Sequence, residues 1–194
     1  DPKGVVYSHR SIWLHSMQIC AGEAFGLRPT SRVLTIVPMF HAMAWGLPYA
    51  AFMSGASLIM PDRFLQAEPI AAMIAAERPT LGGAVPTIWT DLLSYLDRNE
   101  VDTSSLKEVI VGGSARPPAL MHAFSERHGI EIIHAWGMTE MSPLGSVSRP
   151  PAGVTGDEAW AYRYTQGRIP APVAARIVAP DGSVAPADGQ TVGE

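Results

Sequence analysis

The amino-acid sequence predicts an α/β fold built on a mixed, largely parallel sheet with helices on both sides. Short β-branched runs that end at Pro or Gly alternate along the chain with longer stretches of helical periodicity, which is the pattern of strand–helix–strand units. Hydrophobic residues make up 47% of the 194 residues and charged residues only 16%. This composition supplies enough apolar material for a buried core.

Five runs have the length, the β-branched content and the punctuation of buried strands. They are Val33–Val37, Ala56–Met60, Leu81–Val85, Val109–Val111 and Ile130–Ile133. The amino-terminal Val5–Tyr7 is also strand-like. Because sites in parallel sheets lie beyond the carboxyl ends of the strands, we expect functional residues in the turns that follow them.

Four helices are expected in the same part of the chain. Ser8 is a suitable N-cap for a first helix that runs to about Gly22. Pro117–Pro118 suits the first turn of the last helix, and Gly129 suits its end. Apolar residues recur on one helical face in this last helix, at Leu120–Phe124, and in two stretches between the first and last helices, Leu65–Ile74 and Ile88–Leu96.

The alternation stops near residue 150, where Pro and Gly interleave with Trp and Tyr. We therefore expect an α/β region at 1–150, an ordered loop or junction at 151–173 and the truncated start of a β-rich subdomain at 174–194. Ala174–Val178 would be the first strand of that subdomain. The chain opens on Asp1–Gly4 without a Met and stops in an extended segment, which predicts an internal piece of a longer protein.

Charge and cysteine content exclude several classes of protein. The net charge is −4 and the 14 basic residues form no stripe, so nucleic acid is not an expected partner. The single cysteine, Cys20, excludes an internal disulfide framework and fits a reducing compartment. No apolar run reaches the roughly 18 residues that a membrane span requires.

Three of the turns that follow strands are candidates for chemistry, at Pro38–His41, Gly112–Ala115 and His134–Glu140. The pair Gly112–Gly113 would let a flat ligand approach the backbone, although it also suits a tight turn capped by Ser114. Trp136 can stack on a base, and Thr139 can bond a phosphate oxygen. Glu140 can hold Mg²⁺, which prefers oxygen ligands and shares them with phosphates. The structural alternative for the turn at His134–Glu140 is a helix cap beside an exposed carboxylate.

His41 and Lys3 each have two interpretations. His41 is either a hydrogen-bonded core residue or a polar contact at an apolar pocket. Lys3 is either a surface charge or the cation of a phosphate-binding turn. The P-loop, the Gly-x-Gly-x-x-Gly fingerprint and zinc-ligand spacings do not occur. Gly112–Ser114 approaches the nucleophile elbow of serine hydrolases, but Arg116 stands where the final glycine is required.

Taken in order, these segments resemble the adenylate-forming acyl-CoA synthetases of the AMP-binding superfamily, and within it the medium- and long-chain fatty-acid CoA ligases. The resemblance covers essentially the whole chain, and the aromatic-Gly-x-Thr-Glu motif in His134–Glu140 is its most specific part. The other matching segments are the phosphate-loop end Asp1–Val5, the gate segment Pro38–Gly46, the acyl-tunnel helix start Val85–Trp89, the adenine-pocket turn Val111–Ala115 and the subdomain lead-in Gln166–Val178.

The resemblance implies the central part of the large amino-terminal domain of such an enzyme. It also implies a two-step reaction with ATP, Mg²⁺ and coenzyme A as co-substrate. A carboxylate, expected to be a fatty acid, first attacks the α-phosphorus of ATP to give acyl-AMP and pyrophosphate. The thiolate of coenzyme A then displaces AMP. Catalysis of the first step would come mainly from positioning and charge neutralisation.

The resemblance further implies roles for individual residues. Glu140 would hold Mg²⁺, Thr139 would contact phosphate, and Lys3 would belong to a mobile loop on the β- and γ-phosphates. His41 would border the substrate carboxylate and Trp89 would gate the acyl tunnel. The adenine pocket would be formed by Gly112, Gly113, Ser114, Ala115, His134, Trp136, Gly137 and Met138.

Other functions are weighed against this one. Residues 38–52 contain no Asp or Glu that could pair with a substrate amino group, which favours an acyl or aryl carboxylate over an amino acid. The alternatives are an aryl-CoA ligase, an amino-acid adenylation domain, a serine hydrolase that uses Ser114, and a non-catalytic binding module. We expect the isolated chain to be inactive and the whole enzyme to be cytoplasmic, with peripheral membrane association or a homodimer as open alternatives.

Overall fold

A six-stranded sheet organises the part of the chain that the computed structural model describes, residues 3–114, 117–186 and 188–194. The strands lie in the order β2-β1-β3-β4-β5-β6. The first five are parallel and β6 is antiparallel to β5, so the predicted α/β fold is confirmed. The strands are β1 (Arg32–Thr35), β2 (Ser57–Ile59), β3 (Leu81–Ala84), β4 (Glu108–Val111), β5 (Glu131–Gly137) and β6 (Leu144–Val147).

Helices cover both faces of the sheet, as the near-continuous apolar character of its strands requires. On one face, Val33 and Ile110 pack with Ile19 of the first helix. On the other face, Leu34 and Val109 pack with residues of the fourth, fifth and sixth helices. The helices are α1 (His9–Cys20), the single turn α2 (Ala42–Trp45), α3 (Leu47–Ser54), α4 (Ala67–Glu77), α5 (Pro86–Leu96), α6 (Pro118–His128) and α7 (Gly156–Arg163).

Local sequence signals explain where these helices begin and end. Ser8 caps α1 through a capping box. Its side chain accepts a hydrogen bond from the Ser11 backbone N–H, and the Ser11 side chain accepts one from the Ser8 backbone N–H. A proline lies in the first turn of α5 and of α6, where its missing N–H removes no helical hydrogen bond. The carboxyl end of α6 passes into Gly129 with a φ of +63°. These N-cap and stop predictions are confirmed, and α1 ends two residues before the expected Gly22.

Three local expectations differ from the structure. Val5–Tyr7 forms no strand, because in the described residues no neighbouring strand pairs with it. Ala174–Val178 contributes only an isolated bridge between Val178 and Val184. The segment 151–173 holds the helix α7 rather than loop alone, since its prolines and most of its glycines flank residues 157–163 instead of interrupting them. Asp157 and Glu158 in its first turn favour a helix start.

The carboxyl ends of β1, β3, β4 and β5 lie at one edge of the sheet because these strands are parallel. The turns that follow them therefore converge at that edge, where sites in such sheets are found. Within the described ranges, no helix combines the length and hydropathy that crossing a bilayer requires. The division of the chain at residues 150 and 173 stays a prediction.

Candidate active site

A cavity of about 240 Å³ opens at the carboxyl edge of the sheet. It is bordered by the turns that follow β1, β4 and β5, which are three turns expected from the sequence to carry chemistry. Seven residues singled out in advance line it: His41, Gly112, Gly113, Trp136, Gly137, Met138 and Thr139. The fold thus brings residues from 41 to 139 in the sequence into one site.

The glycine pair after β4 makes room for an indole ring. A Cβ on Gly112 would lie 3.1 Å from the ring of Trp45 and 3.2 Å from the carbonyl oxygen of Ala135, so any side chain would displace one of them. Gly113 has a φ of +80°, a conformation that other residues rarely adopt. The pair therefore forms a flat part of the cavity wall that a ligand can approach closely.

The turn after β1 is wound left-handed and carries His41 and Trp45 on its ends. All four residues of α2 have φ values between 42° and 55°, a conformation that costs about 1–2 kcal/mol per residue. His15 of α1 holds the end of this turn, because its Nε2 lies 3.0 Å from the carbonyl oxygen of Trp45. Burial lowers the pKa of His15, so the imidazole is neutral at pH 7 and donates this bond from Nε2.

Trp136 packs on β6 because residue 145 is glycine. A Cβ on Gly145 would lie 2.5 Å from the indole ring and 2.7 Å from the terminal methyl of Met141. The indole remains 43% exposed and lines the cavity. Part of the ring is therefore fixed by packing, and part can stack on a planar ligand.

The 3₁₀ turn Thr139–Met141 follows directly and presents Thr139 and Glu140 at the surface. Its entry is fixed by a hydrogen bond of 2.9 Å from the Met138 N–H to the carbonyl oxygen of Pro143. The phenol of Tyr7 donates a bond of 2.5 Å to the carbonyl oxygen of Thr139. Burial and the charge of Glu140 both raise the pKa of Tyr7, so the phenol keeps its proton at neutral pH.

Trp89 lies in the core and not among the residues of the cavity wall. Its side chain is fully buried, and its indole N–H donates to the carbonyl oxygen of Ile110 at 3.2 Å. The ring meets Phe124 edge-on at 6.4 Å, and a Cβ on Gly82 would lie 2.7 Å from it. These contacts make Trp89 part of the packing between α5 and the sheet.

The remaining predicted residues are also outside the cavity wall. His134 is buried in β5. Its backbone N–H donates to the Ser148 hydroxyl at 3.3 Å, and its carbonyl oxygen accepts from the Ser148 N–H at 2.8 Å. Lys3, Ser114 and Glu140 are exposed. Ala115 lies outside the described residues.

The sequence analysis did not single out four residues of the wall, His15, Phe25, Pro143 and Leu144. No motif surrounds them. The available signal for His15 was its spacing of four residues from Ile19, which places both on the buried face of α1.

A larger cavity of about 770 Å³ lies elsewhere and contains none of the predicted site residues. Arginines contribute to its lining, but they have carboxylate partners. Arg149 pairs with Glu108 at 2.6 Å and Arg168 with Glu23 at 3.5 Å. The positive charge is balanced locally, so the smaller cavity at the strand ends remains the candidate active site.

Comparison with known proteins gives the family. The family model described as AMP-binding enzyme matches residues 1–194. A medium-chain-fatty-acid–CoA ligase from Ectopseudomonas oleovorans is 41% identical over 196 residues, which cover 100% of this chain and 36% of that protein. A 3-methylmercaptopropionyl-CoA ligase from Ruegeria pomeroyi is 42% identical over 197 residues, with the same two coverages.

A solved structure supports the same fold. The crystal structure of a long-chain-fatty-acid-CoA ligase from Archaeoglobus fulgidus superposes with a TM-score of 0.82 at 24% identity, covering 97% of this chain and 38% of that one. The chain thus spans little more than a third of the length of the proteins it matches. The resemblance to the AMP-binding superfamily is confirmed, and the chain belongs to the AMP-binding enzyme family.

Proposed function

We propose that the intact protein containing this chain is an ATP-dependent fatty acyl-CoA synthetase and that the cavity at the strand ends binds the acyl-adenylate. The observation that carries the proposal is the convergence of Trp136, the Gly112–Gly113 pair and Thr139 on one cavity, with Glu140 on the adjoining turn. These groups supply a stacking surface, a close backbone approach, a hydroxyl and a carboxylate, which are what a nucleotide and its metal require.

The proposed reaction explains why these groups are needed together. A carboxylate is a poor electrophile at neutral pH, so it must be activated before a thiol can attack it. Attack of the carboxylate on the α-phosphorus of ATP gives acyl-AMP, in which AMP is a good leaving group, and releases pyrophosphate. The thiolate of coenzyme A then forms the thioester and releases AMP. The first step transfers a nucleotidyl group, so alignment and neutralisation of phosphate charge contribute most of the catalysis.

Each predicted residue has a proposed task in this reaction. Trp136 would stack on adenine, and Gly112 with Gly113 would approach its other side. Thr139 would donate to a phosphate oxygen, and Glu140 would bind the metal ion. Lys3 would contact the outer phosphates, and His41 would border the carboxylate. Trp89 would act near the acyl chain. The remaining residues would surround adenine: Ser114, Ala115, His134, Gly137 and Met138.

The donor set fits Mg²⁺ held together with substrate phosphates. No group of three His, Cys, Asp or Glu side chains in the described ranges could hold a metal ion by itself. Glu140 is a single exposed carboxylate, and Mg²⁺ is commonly bound through one or two carboxylates plus phosphate oxygens. When bound, the ion would neutralise phosphate charge, while Glu140 would fix where that charge is neutralised.

The substrate is proposed to be an aliphatic carboxylate, with a fatty acid favoured. Residues 38–52, which include the gate segment, have no carboxylate to recognise an amino group, and the wall includes the apolar Phe25, Trp45 and Leu144. The names of two relatives point to a medium-chain fatty acid and to a short thioether acid. Each buried methylene contributes about 0.8 kcal/mol, so chain length can be selected by the depth of such a pocket.

Pyrophosphate release by the intact protein tests the proposal. With ATP, Mg²⁺ and coenzyme A, we expect turnover with aliphatic acids, and turnover of octanoate-to-palmitate above that of amino acids or benzoates. Better turnover of amino acids or benzoates would contradict the fatty-acid assignment, and no ATP-dependent turnover with any carboxylate would contradict the enzyme class. The 194-residue chain by itself is proposed to be inactive, and the intact enzyme is proposed to be cytoplasmic.

A further inference from the structure

The segment before α1 is attached to the site through one aromatic side chain. Val6 is 95% exposed and Val5 40% exposed, whereas Tyr7 is half-buried. Among the described residues, the phenol of Tyr7 makes the single hydrogen bond that joins residues 3–7 to the rest of the fold. Lys3, which is proposed to meet the outer phosphates, lies on this same segment.

The other end of that hydrogen bond lies on the turn that carries the proposed phosphate and metal contacts. The carbonyl oxygen of Thr139 accepts from the Tyr7 phenol at 2.5 Å and from the Ser142 N–H at 3.3 Å. A carbonyl oxygen has two lone pairs, so these two donors satisfy it and hold the Thr139–Met141 turn from both sides. The two bonded residues are 132 positions apart in the sequence.

We propose that Tyr7 is a positioning residue that fixes the Lys3 segment against the Thr139–Glu140 turn, so that cation and carboxylate meet the phosphates of the nucleotide together. The effect on MgATP rests on the proposed function, whereas the contact between Tyr7 and Thr139 does not. Tyr7 would not touch the reacting atoms. Its effect would be on how MgATP is held and not on how the carboxylate is held.

Native-state proteolysis tests the contact without any activity. This chain has two lysines, Lys3 on the segment before α1 and Lys107 directly before β4, where its backbone bonds Thr80 and Glu131. A lysine-specific protease must draw several residues on both sides of Lys3 into its cleft, so we expect cleavage to speed up when the Tyr7 contact is open. In the intact protein, Tyr7→Phe should speed cleavage after Lys3 about three- to tenfold, as expected for one lost neutral hydrogen bond, and leave cleavage after Lys107 unchanged.

Steady-state kinetics test the consequence. Tyr7→Phe should raise the KM for MgATP by about the same three- to tenfold factor and leave the KM for the carboxylate within twofold. In a Lys3→Met background the same change should have little further effect, because two residues that act through one contact are not additive. The matched control is Tyr95→Phe, which removes the hydroxyl from another half-buried tyrosine, on α5, and should change neither KM.

The outcomes distinguish failure of the Tyr7 contact from failure of the proposed function. Equal cleavage after Lys3 in Tyr7→Phe and wild-type protein would overturn the claim that Tyr7 holds the Lys3 segment. Faster cleavage with equal changes in both KM values, or full additivity with Lys3→Met, would overturn the role of Tyr7 at the phosphates. Absence of ATP-dependent ligation by the wild-type protein would instead overturn the proposed function, while the cleavage experiment would still decide the contact.

Discussion

Adding one methyl group to β6 should displace the proposed adenine-stacking ring. A Cβ at residue 145 would lie 2.5 Å from Trp136 and 2.7 Å from Met141, whereas non-bonded carbon atoms pack best at about 3.5–4.0 Å. Gly145→Ala therefore requires the indole and the adjoining turn to move by about 1 Å. The backbone at 145 does not require a positive φ, so the effect is steric.

The magnitude follows from the stacking that would be lost. Stacking of a base on an aromatic side chain contributes about 1–3 kcal/mol, which is about 5- to 150-fold in affinity. Gly145→Ala should therefore raise the KM for ATP and the dissociation constant of adenosine by a factor in that range. Isothermal titration calorimetry of the intact protein with adenosine, alongside ATP kinetics, measures both quantities.

Two controls separate this effect from loss of stability. Gly22→Ala adds a methyl group where nothing lies within 4 Å of the new Cβ, and it should leave adenosine affinity unchanged. In a Trp136→Ala background, Gly145→Ala should have little further effect, because the ring that it displaces is absent. Folded Gly145→Ala protein with wild-type adenosine affinity would refute the assignment of Trp136 as the stacking surface.

Three further predictions concern other parts of the site. Glu140→Gln should lower Mg²⁺-dependent pyrophosphate release by about a hundredfold or more, and the affinity for adenosine should stay within a fewfold of wild type. An equal loss of turnover and adenosine affinity would contradict a metal role for Glu140. Trp89→Ala should lower the free energy of unfolding by about 3–5 kcal/mol in urea titrations; a change in carboxylate KM at wild-type stability would instead support a gating role for Trp89. Because burial lowers the folded-state pKa of His15, the stability it contributes should be complete above its unfolded pKa of about 6.5 and decline as the pH falls from there through the lowered folded pKa. His15→Gln should flatten this dependence in thermal-unfolding scans, and an unchanged pH profile would contradict a neutral buried imidazole.

Much of the sheet could be predicted because its strands are short, β-branched and bounded by Pro or Gly. The strands β1 to β5 all overlap predicted runs. β6 was missed because Leu144–Val147 contains a glycine and a serine and has little strand signal. Its formation depends on pairing with β5, which is a tertiary interaction.

Helices α3 and α7 were not predicted, for different physical reasons. α3 is apolar on every side, so it shows no periodicity from which a helix could be recognised. α7 is short and lies between Pro and Gly residues that favour loops. Neither segment carries a local signal strong enough to outweigh its surroundings.

The site was predictable where a strand leads directly into a motif. His41 and Gly112–Gly113 follow strands, Trp136–Thr139 spans the end of β5 and the turn after it, and the parallel sheet brings these residues to one cavity. The contacts of His15 and Tyr7 could not be predicted, since they join residues 30 and 132 positions apart in the sequence. The contact of Gly145 with Trp136 could not be predicted because it depends on the pairing of β5 with β6. Trp89 belongs to the motif-bearing segment Val85–Trp89, yet only three-dimensional packing reveals its burial against Phe124.

Co-crystallisation of the intact protein with a non-hydrolysable acyl sulfamoyl adenosine is the most direct measurement of the central claim. The account predicts that the adenine ring lies between Trp136 and the Gly112–Gly113 backbone, with the sulfamoyl group beside Thr139 and the acyl group toward His41. An adenine ring bound away from Trp136 and Gly113, with Thr139 and Glu140 outside contact distance of the ligand, would contradict it.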